Sequence, residues 1–311
     1  MILLETEEEA NRPLRFSIAE CHARGRLLRL DNVLNAILAA HNYPPVIERI
    51  LAEALVLTAL LALTLKDAGG QLTLQAQTES GAIDLLVCDF KEGGLRGYVK
   101  FAPEKLAHMP PDATLFALFG KGYLAITFDQ ARATSQGGGR YQGIVPLEGT
   151  SLAGAVEYYF VQSEQLPTLI RVAINHVDGP DGRRCIAGGM MIQHLADGED
   201  GRERLHVRLD HPEWEHVAAL GGSISNAELT DMDLPLEDIV WRLFHEESEI
   251  RVESSDSLAR GCRCDASHIR DVISRFPPED RADMVDDSGD IVVNCEFCSR
   301  NFPVSLISFN N

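Results

Sequence analysis

The chain has 311 residues, of which 45% are apolar, and its 47 acidic and 28 basic side chains give a formal net charge of −19. This length predicts one large and one small folded unit, and the negative charge argues against binding to the phosphate backbone of nucleic acids. The N-terminus has no basic segment followed by an apolar run, and the longest apolar stretch, Ala54 to Leu65, is too short to span a bilayer. We therefore expect a cytoplasmic protein with no membrane or nucleic-acid partner.

Helices come first along the chain, and strands follow. Asp31 can cap a helix, the apolar spacing after it predicts helices as far as Leu65, and Pro44-Pro45 divides two of them. Three alternating runs come next, and glycine-containing turns separate them, which is typical of an antiparallel meander. Their apolar positions are Leu72, Leu74 and Ala76, then Ile83, Leu85 and Val87, then Leu95, Gly97, Val99 and Phe101.

The first unit continues with a predicted strand from Tyr123 to Phe128, a helix from about Ser151 to Gln162 and a strand from Thr168 to Asn175. Helices and strands cluster here rather than alternate strictly. The sequence therefore predicts an α+β fold, with antiparallel sheets and helices in a large N-terminal domain at residues 1–196.

Residues 197–257 are predicted to form a helical linker of low core content. Between Asp197 and Asp256 there are 17 acidic residues against 5 basic. One stretch just after Pro235 nevertheless has apolar residues at i, i+3, i+4, i+7 and i+8, the spacing of an amphipathic helix. We call these residues the apolar stripe: Leu236, Ile239, Val240, Leu243 and Phe244. The helix either packs permanently on a neighbouring domain or is metastable and can undock.

Residues 258–311 are predicted to form a small C-terminal module, which contains a helix from Ser267 to Phe276 and a short strand from Ile291 to Val293. A unit of this size buries little apolar surface and usually needs a metal or disulfides for stability. Four of the seven cysteines lie in this module as two close pairs: Cys262 with Cys264, and Cys295 with Cys298. Soft, anionic thiolates suit zinc, so we predict one four-cysteine zinc site in a small zinc-binding domain.

Two interpretations of this site stay open. Four protein ligands leave no position for water, which favours a static structural zinc over a catalytic one. However, the Cys262–Cys264 pair is tighter than the usual C-x-x-C, and a disulfide across one residue is strained and easily reversed. Oxidation of both pairs would expel the metal and unfold the module, so a redox switch is the second interpretation.

Other candidate sites are weaker. Cys21, Cys88 and Cys185 are isolated and read as buried structural residues, although the arginines before Cys185 could lower its pKa. The sequence has no complete nucleotide-binding loop, hydrolase motif or zinc-protease motif, so we expect no enzyme activity. A nucleic-acid-binding zinc ribbon is disfavoured by the acidic residues around the cysteines. A thiol-disulfide oxidoreductase using Cys295 and Cys298 is a further alternative.

With C-x-C, thirty residues and C-x-x-C at its end, the chain resembles the redox-regulated heat-shock chaperones of thirty-three kilodaltons, a bacterial family of holdases. Matches to this family run in order through nearly the whole chain: Asn42 to Pro44, Arg140 to Gly149, Ser163 to Thr168, Ala187 to Met190, and Trp241 to Glu247. The chain departs from the family in its acidic segment before Phe16 and in the polar extension from Ala196 to Arg208.

The resemblance implies an ATP-independent cytoplasmic chaperone that binds unfolding client proteins under oxidative or heat stress. It implies a reduced, inactive form that holds one zinc ion, and an oxidised, active homodimer in which Cys262 pairs with Cys264 and Cys295 pairs with Cys298. On this basis the apolar stripe would be covered while the C-terminal module is folded and exposed to clients when the module melts.

Overall fold

The computed structural model describes residues 11–65, 69–110, 113–130, 139–179, 182–195 and 211–306. Within these residues the fold is α+β, as predicted, with two larger antiparallel or mixed sheets and a small C-terminal hairpin. The strands are β1 (Leu14–Ile18), β2 (Ala23–Leu30), β3 (Gln71–Thr78), β4 (Ile83–Lys91), β5 (Gly94–Phe101), β6 (Gly122–Asp129), β7 (Arg140–Pro146), β8 (Thr168–Gly179), β9 (Gly182–His194), β10 (Ile250–Ser254), β11 (Ala259–Arg260), β12 (Asp290–Asn294) and β13 (Asn301–Ser305).

Five of the helices in the described residues, α1, α2, α5, α8 and α9, lie where the sequence predicts them, and the other five were not predicted. They are α1 (Asn32–Leu38), α2 (Pro45–Ala62), α3 (Pro103–Leu106), α4 (Leu115–Phe119), α5 (Leu152–Tyr159), α6 (Pro212–Gly222), α7 (Asn226–Thr230), α8 (Leu236–Phe244), α9 (Ala266–Ser274) and α10 (Pro278–Asp283). A short π-helical turn, Phe160–Glu164, extends α5. Pro45 begins α2 because a proline at the first helical position loses no hydrogen bond.

The first sheet has the strand order β10-β1-β2-β9-β8, with all neighbours antiparallel. Strand β9 lies inside the sheet, and its residues from Cys185 to His194 are almost all buried. No strand was predicted here. A continuous apolar run, rather than an alternating one, is typical of a strand covered on both faces, and this signal was available in the sequence.

The second sheet has the order β11-β5-β4-β3-β6-β7, which confirms the predicted meander of β3, β4 and β5. The predicted alternation in β4 was wrong in its second half. The register shifts between Ile83 and Leu85, so that Leu86 and Cys88 are buried while Leu85 and Val87 are half-buried. A bulge adds one residue and therefore moves every later side chain to the opposite face.

Helix α2 is the central element of the N-terminal core. It contacts strands of both sheets, and most of its side chains are buried, including the apolar stretch noted in the sequence. Within the described residues no helix is long and apolar enough to cross a bilayer. The core is thus built from one helix that packs between two sheets.

The linker contributes more apolar packing than its acidic composition suggested. Trp214, Val217 and Leu229 are buried together with residues of the first sheet. The stripe residues Ile239, Val240 and Phe244 join the same cluster as buried residues, and Leu236 and Leu243 are partly buried against it. Acidic side chains occupy the exposed faces of these helices. The net charge of the linker therefore did not indicate how much apolar surface the opposite faces bury.

The linker is also anchored by a buried arginine. Arg29, on β2, is only 6% exposed and donates hydrogen bonds to the carbonyls of Glu228, Leu229 and Leu234 at 3.0–3.1 Å. Close packing accompanies these bonds, because a Cβ atom on Gly188 would lie 2.0 Å from the Leu229 carbonyl oxygen. Helix α7 and the turn that follows it are therefore fixed to the first sheet by both hydrogen bonds and close packing.

The linker ends by joining both sheets. Strand β10 pairs antiparallel with β1, and β11 pairs parallel with β5. Neither strand was predicted from the sequence. The predicted boundaries at residues 196/197 and 257/258 stay predictions, and the polar extension from Ala196 to Arg208 lies outside the described residues, as does the acidic N-terminal segment before Asn11.

The C-terminal module consists of α9, α10 and the hairpin of β12 and β13. Its apolar cluster has three buried residues, namely Ile273, Ile291 and Val304. The spacing of Ile269, Val272, Ile273 and Phe276 predicts that all four lie on one packed helix face. Val272 and Phe276 are nevertheless 38% and 40% exposed. Such a small core gives the module little stability of its own.

Candidate metal centre

The first cysteine pair follows directly after β11. Gly261 donates a 2.8 Å hydrogen bond to the Leu95 carbonyl, and its Cα is so close to Gly94 that a Cβ would lie 2.5 Å from the Gly94 Cα. Pairing with β5 therefore fixes the backbone immediately before Cys262. As a result, the edge of the second sheet determines where Cys262 and Cys264 lie.

The second cysteine pair lies in the turn between β12 and β13. The Cys295 carbonyl accepts hydrogen bonds from the amides of Cys298 at 3.2 Å and Ser299 at 2.8 Å, and the Cys295 amide donates to the Arg300 carbonyl at 3.0 Å. Ser299 has a φ of 52°, in the left-handed region. This tight turn directs both thiols to the same side of the loop, as in metal-binding knuckles.

The four thiols form one cluster. All four sulfur atoms lie within 4.8 Å of one another. The Cys262 sulfur is 3.3 Å from that of Cys264 and 3.7 Å from that of Cys295, and the sulfurs of Cys264 and Cys298 are 3.6 Å apart. Tetrahedral coordination with metal–sulfur bonds of about 2.3 Å places two sulfurs about 3.8 Å apart, so the arrangement fits a single bound metal ion.

The thiols have different acidities. Burial opposes ionisation of Cys262, but hydrogen bonds from the Cys264 amide and from the other three thiols outweigh it and lower the pKa of Cys262 to about 7. Burial, followed by hydrogen bonds to Cys262 and Cys298, raises the pKa of Cys264 to about 12. Without a metal, the cluster thus favours ionisation of one thiol, because hydrogen bonds from the neighbouring thiols stabilise its negative charge.

A set of contacts holds the module on the second sheet. We call Asp89, Arg96, Arg263 and Phe297 the docking cluster. Arg96 pairs with the Asp89 carboxylate at 2.7 Å, Arg263 pairs with the same carboxylate oxygen, and the Asp89 side chain is 4% exposed. The Arg96 guanidinium also lies 4.0 Å from the centre of the Phe297 ring.

Phe297 lies between the two cysteines of the C-x-x-C turn and packs edge-on against Tyr98 of β5, with ring centres 4.9 Å apart. On the same turn, Ser299 is hydrogen-bonded to His41 at 3.2 Å. The metal-binding turn is thus in direct contact with the N-terminal core. This interface was not predicted, because its contacts join residues far apart in the chain.

The remaining cysteines and His268 are not in the cluster. Cys21, Cys88 and Cys185 are buried, as expected, and His268 is exposed on α9. Arg183 does favour a lower pKa for Cys185, as suggested, but the net shift is in the opposite direction. Burial, with a smaller contribution from Glu48, raises its pKa to about 12, and this outweighs the opposing effect of Arg183.

The apolar stripe is covered by the first sheet. Phe244 packs against Phe16 of β1, with ring centres 5.7 Å apart, in the cluster formed with the first sheet. The C-terminal module is connected to α8 through β10 and β11. Any effect of the module on the stripe is therefore transmitted along these strands.

Comparison with known proteins gives consistent matches over this whole architecture. The family model described as "Hsp33 protein" matches residues 11–305. The chain belongs to the Hsp33 family. Among curated relatives, the 33 kDa chaperonin of Caulobacter vibrioides is 37% identical over 291 residues, covering 92% of this chain and 91% of the relative. The 33 kDa chaperonin of Yersinia pestis is 32% identical over 288 residues, covering 93% and 90%.

A solved structure shares the fold. The crystal structure of the 33 kDa chaperonin, or heat shock protein 33 homolog, from Thermotoga maritima superposes with a TM-score of 0.76 at 21% identity, covering 96% of this chain and 97% of the other. The Hsp33 match includes the segment Asn42 to Pro44. There the Tyr43 hydroxyl accepts a hydrogen bond from the Val99 amide at 2.9 Å and donates one to the Val99 carbonyl at 3.2 Å. These two bonds stabilise β5, the strand that carries part of the docking cluster.

Proposed function

We propose that this protein is a redox-regulated, ATP-independent chaperone that binds unfolding client proteins and prevents their aggregation under oxidative or heat stress. Family membership and the relatives' names support a chaperone function. The observation that carries the redox part is the convergence of four thiols in a module that has almost no apolar core. A protein held together in this way loses structure when its thiols are oxidised.

We propose zinc as the metal. Cys262, Cys264, Cys295 and Cys298 would bind one zinc ion in the reduced state, since thiolates suit zinc and the 3.3–3.7 Å sulfur separations approach those of a tetrahedral site. With four protein ligands the ion would contribute stability and keep the thiols deprotonated, not catalyse a reaction. A zinc ion without an open coordination position is consistent with a protein that is not an enzyme.

Oxidation would then form two disulfides, Cys262–Cys264 and Cys295–Cys298. Four thiolates lose four electrons as the two sulfur–sulfur bonds form. Two molecules of hydrogen peroxide take up these electrons together with four protons, and four molecules of water are produced. The cysteines then no longer offer thiolate ligands, so the metal leaves the module.

Loss of the metal would weaken the module's contacts with the core. The docking cluster depends on the C-x-x-C turn, since that turn carries Phe297. Once the turn unfolds, β11 and then β10 would detach from the sheets, and the apolar stripe on α8 would lose the support of the chain that follows it. Exposed stripe residues and the first-sheet surface beneath them would offer apolar area to clients.

The active form is proposed to be a cytoplasmic homodimer with no nucleic-acid or membrane partner. The net charge of −19 would keep a partly unfolded chaperone soluble and would repel phosphate backbones. Two copies would present a larger apolar surface to one client than a single chain does.

The proposal is tested by following zinc release and client aggregation on the same sample. The full chain is reduced, loaded with zinc, and treated with peroxide at elevated temperature. A chromogenic chelator reports released zinc, and light scattering reports aggregation of a chemically unfolded client. We expect one equivalent of zinc to be released and aggregation to be suppressed over the same time course, while Cys21→Ser, which changes a cysteine outside the cluster, behaves as the parent chain does.

Two results would overturn the proposal in different ways. If oxidation releases zinc without suppressing aggregation, or suppression is already full in the reduced form, the metal is only structural. If Cys262→Ser retains multiple-turnover reduction of a small disulfide substrate by Cys295 and Cys298, the protein is a thiol-disulfide oxidoreductase. A switch requires both pairs, so that Cys262→Ser and Cys298→Ser abolish regulation alike.

A further inference from the structure

Two histidines and a glutamate meet where the first sheet ends and the linker helices begin. His194 is the last residue of β9, and His211 and Glu213 lie at the start of α6. One ligand atom from each residue lies within 4.8 Å of the other two. His194 is buried, at 3% exposure, whereas His211 and Glu213 are half-buried. We call the side of the cluster formed by His211 and Glu213 its rim.

The polar atoms on the rim face each other without a hydrogen bond. Nδ1 of His211 and Oε2 of Glu213 are buried atoms that lack a hydrogen-bond partner among the described residues, and they are 3.6 Å apart. An N–H···O bond requires about 2.7–3.2 Å. Two ligands on a tetrahedral ion with bonds of about 2.1 Å are about 3.4 Å apart, so the observed separation is closer to that of a metal site.

A second cluster of similar composition provides a contrast. Glu48, His176 and Cys185 also bring three ligand atoms within 4.8 Å. Here, however, His176 Nε2 and Glu48 Oε1 are 2.6 Å apart and form a short hydrogen bond. That pair satisfies itself, and an ion would have to separate it. His211 Nδ1 and Glu213 Oε2, at 3.6 Å, form no such short bond with each other.

We propose that His194, His211 and Glu213 form a second divalent-cation site, suited to zinc or another first-row transition metal. The two imidazole ligands favour such ions over calcium or magnesium, which prefer oxygen ligands alone. Three protein ligands leave one position for water, so binding would be weaker and more exchangeable than at the four cysteines.

The site would connect the core to the linker. Its ligands come from the end of a sheet strand and from the first turn of α6, so a bound ion stabilises the docked position of that helix. Neither imidazole nor carboxylate forms a disulfide. Peroxide therefore leaves these ligands chemically intact while it converts the four cysteines, which makes this inference independent of the proposed redox function.

The test uses the reduced, tag-free full chain whose four cysteines are already saturated with zinc. Cobalt(II) is then titrated and followed by absorption spectroscopy. We expect one equivalent of Co²⁺ to bind with weak visible bands and without the intense sulfur-to-cobalt charge transfer that cysteine ligation gives. Strong charge transfer would show displacement at the four cysteines, and the absence of saturable binding would overturn the second site.

Variants on one helix separate ligation from other effects. His211→Gln and Glu213→Gln should each weaken cobalt binding by roughly tenfold or more, the scale of losing a metal-site interaction. His216→Gln is the matched control, because His216 lies on the same helix and pairs with Glu247 at 2.8 Å. His194 is left unchanged because its burial makes misfolding a confounding outcome. Equal affinity in all variants would contradict the assignment.

Fluorescence supplies an independent readout. The chain has two tryptophans, and the ring of Trp214 is 6.0 Å from that of His194. In a Trp241→Phe background, paramagnetic Cu²⁺ should quench Trp214 emission in a saturable way that His211→Gln reduces. Unsaturable quenching, the same with and without His211, would show only collisional contact with free metal and would overturn the site.

Discussion

The N-terminal core and the C-terminal module are stabilised by different means. Helix α2 is buried against strands of both sheets in the largest apolar cluster of the described residues, and this core contains no member of the four-cysteine group. The module buries only three apolar residues and gathers four thiols instead. A unit stabilised by apolar contacts resists oxidation, whereas one stabilised by thiolate–metal bonds is sensitive to it. If the proposed redox function holds, the module is therefore the part of the chain expected to respond to an oxidant.

The linker packs against the core, but along the chain it leads into the module. Its helices share an apolar cluster with the first sheet, but β10 and β11 lead directly to Cys262. The linker is therefore the region where a change in the module can alter exposed apolar surface on the core.

Metal removal should destabilise the C-terminal module but not the N-terminal core. A chelator applied to the reduced chain is expected to unfold residues 262–306 and leave the core folded, because structural zinc contributes about 10–16 kcal/mol of apparent binding energy in small zinc-dependent units. Limited proteolysis with mass spectrometry would show early cleavage in the module and a resistant core fragment. Readdition of zinc should restore protection. A module that resists the protease equally well without metal would refute the contrast.

Phe244→Ala should destabilise the docked linker by about 3–5 kcal/mol, the usual cost of truncating a buried phenylalanine. Phe244 is fully buried, whereas Trp241 on the same helix is 63% exposed. The control Trp241→Ala should change the free energy of unfolding by about 0.5 kcal/mol or less. Urea unfolding followed by circular dichroism measures both. Similar losses in the two variants would mean that α8 does not use the stripe for packing.

Arg29→Met should loosen the linker by about 2–3 kcal/mol, because three backbone carbonyls lose a charged donor. Arg24, exposed on the same strand, provides the control Arg24→Met, for which we expect little change. The emission of Trp214, which is buried in the linker cluster, should shift to the red at lower urea concentration in Arg29→Met. Coincident transitions in the parent chain and this variant would exclude a role for Arg29 in anchoring.

Asp89→Asn should have the smallest effect, about 1 kcal/mol or roughly a fivefold faster loss of zinc to a competing chelator, since Arg263 is partly solvated. The carboxylate that joins both arginines of the docking cluster becomes a neutral amide. Asp84→Asn, on the exposed face of the same strand, is the matched control. If both variants lose zinc at the parent rate, docking does not influence metal retention.

The metal centre was predictable because its signal is local. Two pairs of cysteines at close spacing define the ligand set without knowledge of the fold, and apolar spacing likewise predicted α2, the meander and the helix of the apolar stripe. The strand β9 was missed although its apolar run was visible. The alternation in β4 failed after the bulge near Asp84, since a bulge leaves no clear mark in the hydropathy pattern.

The docking cluster and the linker strands could not be predicted, for a different reason. Asp89 meets Arg263, and β10 pairs with β1, only after the chain has folded. No local propensity distinguishes these residues from other charged or alternating segments. The cover of the apolar stripe illustrates the same limit, because the periodicity of Leu236 to Phe244 shows that a partner exists but not that the partner is β1.

Hydrogen–deuterium exchange of the reduced, zinc-loaded chain and of the peroxide-oxidised chain shows whether the four-cysteine site controls the apolar stripe. We expect peptides covering residues 262–306 and the stripe helix 236–244 to lose protection together on oxidation, while peptides covering 45–62 keep theirs. If the module loses protection and residues 236–244 remain as protected as in the reduced chain, the metal centre does not control the apolar stripe, and the account is wrong.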